Sequence, residues 1–156
     1  MAENDKLSAD VDAGAERGIG IQKLYLKDCS FESPDSPKVF AIEKWEPKLN
    51  LHVDTKVRPG NDDRFEVLLK ITVEAKQDDK TAFICEVEQG GVFIVKGFDE
   101  EAQRQLLAVY CPGILYPYAR EQVCSLVSKG GFPTLMLQPI SFEEMYMKQQ
   151  AKAANG

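Results

Sequence analysis

Little in this sequence carries chemistry by itself. It holds one histidine, His52, and four cysteines with no C-x-x-C pair among them. Structural zinc sites and small disulfide scaffolds both depend on close, repeated spacing, so neither is expected. Cys29, Cys85, Cys111 and Cys124 read as reduced, partly buried thiols. No apolar run approaches the roughly 20 residues of a membrane span. The opening MAENDKLSADVD is acidic and has no apolar stretch of the signal-peptide kind, so the expected location is cytoplasmic. No run of Lys and Arg marks a basic footprint. Lys and Arg number 19 against 25 Asp and Glu, a formal net charge of -6. That balance argues against a general nucleic-acid binder and against an anionic-membrane binder. The glycines of GIGIQK (18–23) lack phosphate-loop spacing and precede a strand where a helix is required. No G-x-S-x-G, H-E-x-x-H or EF-hand loop is present. The expectation is a protein without catalytic residues, metal or cofactor.

What the sequence does contain is a globular mix, 44% hydrophobic and 28% charged over 156 residues. That suits one domain. Residues 1–20 read as a disordered tail, 21–147 as the domain and 148–156 as a flexible tail. KLNLHVDTKV (48–57) alternates strictly, with Leu49, Leu51, Val53 and Val57 on one side and Asn50, His52, Asp54 and Lys56 on the other. RFEVLLKITVEAK (64–76) alternates again, and TAFICEVEQ (81–89) follows with Phe83, Cys85 and Val87 opposite Ile84, Glu86 and Glu88. The turn clusters PGNDD and QDDK separate these runs, which makes an antiparallel meander. IQKLYLKDCSFE (21–32) is a further strand with a break in alternation at Leu24, Tyr25 and Leu26, the mark of two covered faces or a bulge. Residues 33–47 read as a crossover loop with one extended piece, VFAIEKW. Gly90 and Gly91 read as an interruption of the last strand.

The second half changes period. Asp99 is placed to cap a helix through EEAQRQLLAVY, which Pro112 and Gly113 interrupt. Pro117 and the Gly130–Gly131 pair read as start and stop signals around LYPYAREQVCSLVSKGG. Its apolar stripe is Tyr116, Ala119, Val123 and Leu126/Val127. FPTLMLQPI is extended, and Ser141 with Glu144 has capping-box spacing for a last helix. The fold class is therefore α+β: a four-stranded antiparallel sheet, then one long, interrupted helix and a short C-terminal helix. The last helix carries Phe142, Met145, Tyr146 and Met147, more apolar surface than an acidic monomer comfortably shows, which implies oligomers or a client surface.

Two clusters stand out. Asp28 and Glu32 share one strand parity, and Glu86 and Glu88 share another. If their strands are neighbours they form a negative plate around Ile84, suited to a basic partner. Phe40, Trp45, Leu49, Leu51, Met145, Tyr146 and Met147 could form a soft apolar surface for promiscuous binding. The bland readings are a solvated sheet face and an ordinary core. A third reading, a thiol-dependent enzyme using Cys85 or Cys124, lacks a base in the sequence: His52 sits among Asn50, Asp54 and Lys56 on a wet strand face.

LYLKDCSFE, VFAIEKWEPKLNL, AFICEVEQGGVF and YCPGILYPYAREQVCSLVSKGGFPTLMLQPISFEEMY, in that order, resemble the SecB family of bacterial export chaperones over about residues 21–147. The resemblance implies a nucleotide-independent chaperone. It would hold unfolded precursors of secreted proteins and deliver them to SecA, as a homotetramer built as a dimer of dimers. It further implies SecA docking by Asp28, Glu32, Ile84 and Glu86. A client groove would include Phe40, Trp45, Leu49, Leu51 and Val53, bordered by Phe142 and Met145, and Phe83, Cys85, Val87 and Gln89 would govern assembly. A related chaperone dedicated to a single partner, such as a toxin–antitoxin pair, is the alternative.

Overall fold

The computed structural model describes residues 17–155. Four strands, β1 (Gly18–Glu32), β2 (Lys48–Pro59), β3 (Arg64–Gln77) and β4 (Lys80–Lys96), form one sheet in the order β1-β4-β3-β2. All three pairings are antiparallel. The two hairpin turns place Asp62, Asp63, Asp78 and Asp79 at φ between 51° and 63°. Asp tolerates this left-handed region better than most side chains, which explains an Asp–Asp pair in each turn.

The first strand begins at Gly18, so residues 18–20 are not part of a disordered tail; the rest of that expected tail, 1–16, lies outside the described residues. The broken alternation in β1 has a cause. Register shifts between Ile21 and Lys23 and between Leu26 and Asp28 insert one residue each. The second shift turns Asp28 away from the face of Leu26 and onto the side of the sheet that carries Glu86 and Glu88. The expected extended piece VFAIEKW instead opens with a 3-10 turn, Lys38–Ala41, that buries Val39.

Gly90 and Gly91 do not interrupt β4, which pairs with β3 straight through them. They allow close approach. A Cβ on Gly90 would sit 2.5 Å from the ring of Tyr25, and one on Gly91 would sit 2.7 Å from Phe93 and 3.1 Å from Leu115. Gly113, in contrast, has nothing within 4 Å of a Cβ position. Gly90→Ala should therefore lower the free energy of unfolding by about 1–3 kcal/mol through overpacking. Gly113→Ala, in a helix, should raise it by about 0.5–1 kcal/mol. Urea unfolding of the two variants checks the opposed signs.

Helix α1 (Glu100–Gln105) is capped as expected: the Ala102 amide donates to Asp99 Oδ1 at 2.8 Å. The chain does not break at Pro112–Gly113. It runs through a π-helical stretch, Leu106–Tyr110, into α2 (Cys111–Lys129). Pro112 has no N–H to give the carbonyl one turn back, and the Cys111 amide bonds instead to Leu106, five residues back. Pro117 does not start this helix but lies inside it. Tyr116, Ala119, Val123 and Val127 form the buried stripe. Ser141 caps α3 (Phe142–Asn155), its hydroxyl accepting from the Glu144 amide at 3.2 Å. Helix α3 continues to Asn155 and takes in most of the expected flexible tail, because Gln, Ala and Lys are strong helix formers.

Helix α2 lies over β4 and β3. The core is the face they share: Val67, Leu69, Ile71, Val73 and Ala75 of β3 with Phe83, Cys85, Val87, Phe93 and Val95 of β4, under Leu115, Ala119 and Val123. The opposite face of the sheet carries no helix and is mostly charged. On the helix side β2 extends past this cover, so Leu49 and Leu51 stay 46% and 48% exposed.

Candidate functional site

The helix side and the open side of the sheet each present a surface. On the helix side an aromatic cluster centres on Phe132, which follows the Gly130–Gly131 stop and is itself buried. Its ring centroid lies 4.9 Å from Phe83, 5.3 Å from both Phe40 and Trp45, and 6.2 Å from Phe31. Beside it runs a groove of about 230 Å³ lined by Trp45, Pro47, Leu49, Phe83, Pro133 and Leu135 among others. Leu51 and Val53 continue the lining along β2, since residues two apart share a face. Gln77 anchors the loop that carries Trp45. Its buried amide accepts from the Glu46 N–H at 3.0 Å and donates to the Lys44 carbonyl at 3.2 Å.

The structure places Trp45 and Leu49 on this groove, with Leu51 and Val53 further along the same face of β2 and Phe40 joined through Phe132. Phe142 is not on this groove. It is 5% exposed and meets Tyr116 edge-on at 6.0 Å, so it belongs to the core under α3. Met145 is half-buried against the same core. The four residues expected at a subunit contact are also interior. Phe83, Cys85, Val87 and Gln89 are 1%, 0%, 0% and 6% exposed beneath α2. They cannot touch another subunit directly, and any effect on assembly passes through how the helix sits on the sheet. Phe132, Pro133, Leu135 and Gln77 were not anticipated; the available signal for Phe132 was its place directly after a double-glycine helix stop.

On the open side the register sets Asp28 opposite Glu88, Ser30 opposite Glu86 and Glu32 opposite Ile84. Glu74 lies on the other flank of Ile84. The negative plate is therefore real as a placement. It is partly occupied from within: Lys70 Nζ pairs with Glu86 at 3.3 Å, and Thr72 Oγ1 donates to the same carboxylate at 3.3 Å. Asp28 and Glu32 are exposed.

Further along this face Tyr25 lies across Gly90 and donates to the Glu66 carboxylate, which also pairs with Lys27 at 3.2 Å and Arg58 at 3.6 Å. The Tyr25 hydrogen bond first, then Lys27, holds the Glu66 carboxyl below the usual range. Partial burial, then the Glu66 carboxylate, pushes the Tyr25 phenol far up. A carboxyl whose folded pKa is depressed contributes stability above its unfolded pKa, and loses it as pH falls through the folded value. Glu66→Gln should flatten the stability curve on the acid side of pH 4, the ordinary carboxylate range, while neutral stability falls modestly. Urea midpoints at several pH values compare the two slopes, and parallel slopes would remove the assignment.

Burial raises the Cys85 thiol to about 11 and the Cys111 thiol to about 12, so neither ionises near neutrality. This counts against Cys85 as a nucleophile. Cys124 is on α2, over the helix face, while His52 of β2 shares the open face with Thr72 opposite it, so the sheet separates them. Among the described residues no group of three His, Cys, Asp or Glu could hold a metal ion. No helix among them is long and apolar enough to cross a membrane.

A rigid sheet with an apolar aromatic groove on one side and a charge-patterned open face on the other defines a scaffold for binding other proteins. The chain belongs to the SecB family of protein-export chaperones: the model of the preprotein translocase subunit SecB matches residues 12–153. Protein-export protein SecB of Methylococcus capsulatus is 50% identical over 134 residues, covering 86% of each chain. That of Nitrosococcus oceani is 45% identical over 151 residues, 96% of this chain and 92% of the relative. In fold, the chain is similar to a SecB-like chaperone of Mycobacterium tuberculosis solved in complex with a peptide from the HigA1 antitoxin. The TM-score is 0.63 at 21% identity over 90% of this chain and 97% of that one.

Proposed function

We propose that this export chaperone works in the cytoplasm as a homotetramer, a dimer of dimers, that holds unfolded secretory precursors in the Trp45–Leu49–Leu51 groove without nucleotide and passes them to SecA. The observation that carries the holding role is the half-exposed apolar row of β2 continuing an aromatic groove. A folded protein normally hides such a surface, and an extended client offers matching side chains. Each contact is weak and non-directional, so clients of different sequence fit. Several grooves on one tetramer raise the effective concentration of client segments and multiply modest affinities.

Asp28, Glu32, Glu86 and Ile84 form the SecA-docking plate in this reading. It lies on the opposite side of the sheet from the groove, so delivery and holding are separable. Phe83, Cys85, Val87 and Gln89 tune assembly through the α2–sheet packing.

The test is aggregation prevention with a slow-folding precursor in the absence of nucleotide. Suppression near one tetramer per client is the expected result. Aggregation at the uninhibited rate would overturn the holding role. A panel of unrelated unfolded chains separates this reading from a chaperone dedicated to one partner, which would hold one chain and ignore the rest.

A further inference from the structure

Among the described residues only two polar side chains are buried, Gln77 and Gln89. Gln77 ends β3, on the helix side of the sheet by its parity with Val73 and Ala75. A buried amide is costly unless both of its ends are bonded. Here both are, and both bonds go to the main chain of one short segment. The oxygen accepts from the Glu46 N–H at 3.0 Å, and the nitrogen donates to the Lys44 carbonyl at 3.2 Å. The two bonded groups flank Trp45. A neighbouring strand bonds an extended residue in this way, so the Gln77 side chain stands in for a strand.

Little else fixes the backbone at this point. The bonds of the 3-10 turn end at Ile42, whose amide donates to the Val39 carbonyl at 3.4 Å. Among the described residues, 43–47 make no turn or loop bond to another main-chain group. Lys44 and Glu46 are exposed and pair with each other at 3.2 Å, which ties neither to the sheet. Packing does not hold the segment from behind. A cleft of about 220 Å³ opens between the crossover and the β3–β4 turn, with Val39, Ile42, Gln77 and Ala82 among its walls. On the other side Trp45 lines the groove and packs on Phe132. That contact holds the ring and leaves the backbone behind it to Gln77.

We infer that Gln77 is a positioning residue of the groove: it holds Trp45 as a fixed wall and so sets how long a bound segment of client stays. This rests on the reading of the groove as the client site. A wall already in place spares the client the cost of ordering it. A groove that is competent only part of the time binds more weakly by that fraction. The loss appears in the dissociation rate, because an unfolded chain still approaches the same open apolar face.

Trp45 is the only tryptophan of the chain, so its fluorescence reports on this wall alone. Gln77→Leu in the full-length protein keeps the bulk of the side chain and removes both bonds. Without client, acrylamide quenching of Trp45 should rise about twofold, as for a locally opened segment. A permanently unfolded probe, fluorescein-labelled reduced and carboxymethylated α-lactalbumin, should leave about tenfold faster, since each lost hydrogen bond is a severalfold effect. Gln77→Glu separates bonding from shape. Its carboxylate accepts from the Glu46 N–H but has no proton for the Lys44 carbonyl, whereas the protonated acid makes both bonds. Quenching in this variant should be high near pH 8 and return toward the parent's near about pH 5.5, through the range of a raised carboxyl. Burial, Asp35, Asp78 and Glu46 raise that carboxyl, while Lys38, Lys44 and Lys80 act the other way. The parent carries the same groups and is followed in parallel, so the difference between the two is what is read. Thermal melts check that both variants fold. Unchanged quenching in Gln77→Leu would overturn the inference. So would raised quenching with unchanged probe dissociation, or a Gln77→Glu variant that matches the parent at both pH values. A parent that holds no probe removes the client reading instead, and the quenching measurements still decide whether Gln77 fixes the wall.

Discussion

Phe132→Ala should be the most damaging single truncation in the binding region. The ring is 7% exposed and touches four other aromatic rings. Truncating a buried Phe to Ala costs about 3–5 kcal/mol, part of it the cavity left behind. At this chain length that corresponds to a fall in Tm of roughly 8–15 °C. The consequence for function is separable from the loss of stability. Phe40 and Trp45 pack on Phe132 from the crossover, so without it the groove wall loses its backing, and client holding should fail at temperatures where the variant is still folded. Phe40→Ala provides the contrast. Its ring is 50% exposed, so stability should change by less than about 1 kcal/mol. If Phe132→Ala melts within two or three degrees of the parent, the cluster is not the floor of the groove.

The reason Phe132 escaped a reading of the sequence is physical. Its role depends on rings from β1, β4 and the crossover converging, and no local period records that. The sheet was legible because period-two alternation reports a two-faced strand directly, as in Leu49, Leu51 and Val53 or Phe83, Cys85 and Val87. Parity also located the acidic plate, once a bulge at Lys27 corrected the register of β1. Parity could not say which apolar face would be covered. Both β2 and β4 present alternating apolar residues, yet α2 lies over β4 and β3 only, so Phe83, Cys85 and Val87 become core while Leu49 and Leu51 stay half-exposed. Glycine was misread for a related reason. Gly90 and Gly91 look like strand breakers in a linear sequence, and only the Tyr25 and Leu115 side chains packed over them show that they are there for close approach. The resemblance placed Phe142 and Met145 at the border of the groove, but the crossing of α3 over the π-helical stretch turns Phe142 inward against Tyr116.

The second large effect concerns the proposed docking plate, and it has two signs. Asp28 is exposed and has no cation partner among the described residues, whereas Glu86 already holds Lys70 and Thr72. A basic partner therefore meets Asp28 at full charge and must compete with Lys70 for Glu86. Asp28→Lys should weaken SecA binding by tenfold or more, about 1.4 kcal/mol, mostly through slower association at low salt. Asp28→Ala and Glu86→Ala should each weaken it less, because one charge is removed and none is reversed. Lys70→Ala should act in the opposite direction. It frees the Glu86 carboxylate while Thr72 still holds it in place, and binding should tighten about threefold, the scale of one exposed ion pair. Client holding should be unchanged in all four variants, because the groove is on the far side of the sheet. Titration of SecA against each variant at two salt concentrations reads the signs. A Lys70→Ala variant that binds more weakly than the parent would mean that the lysine itself contacts the partner, and that the plate recognises its partner as a mixed-charge surface instead of a negative one.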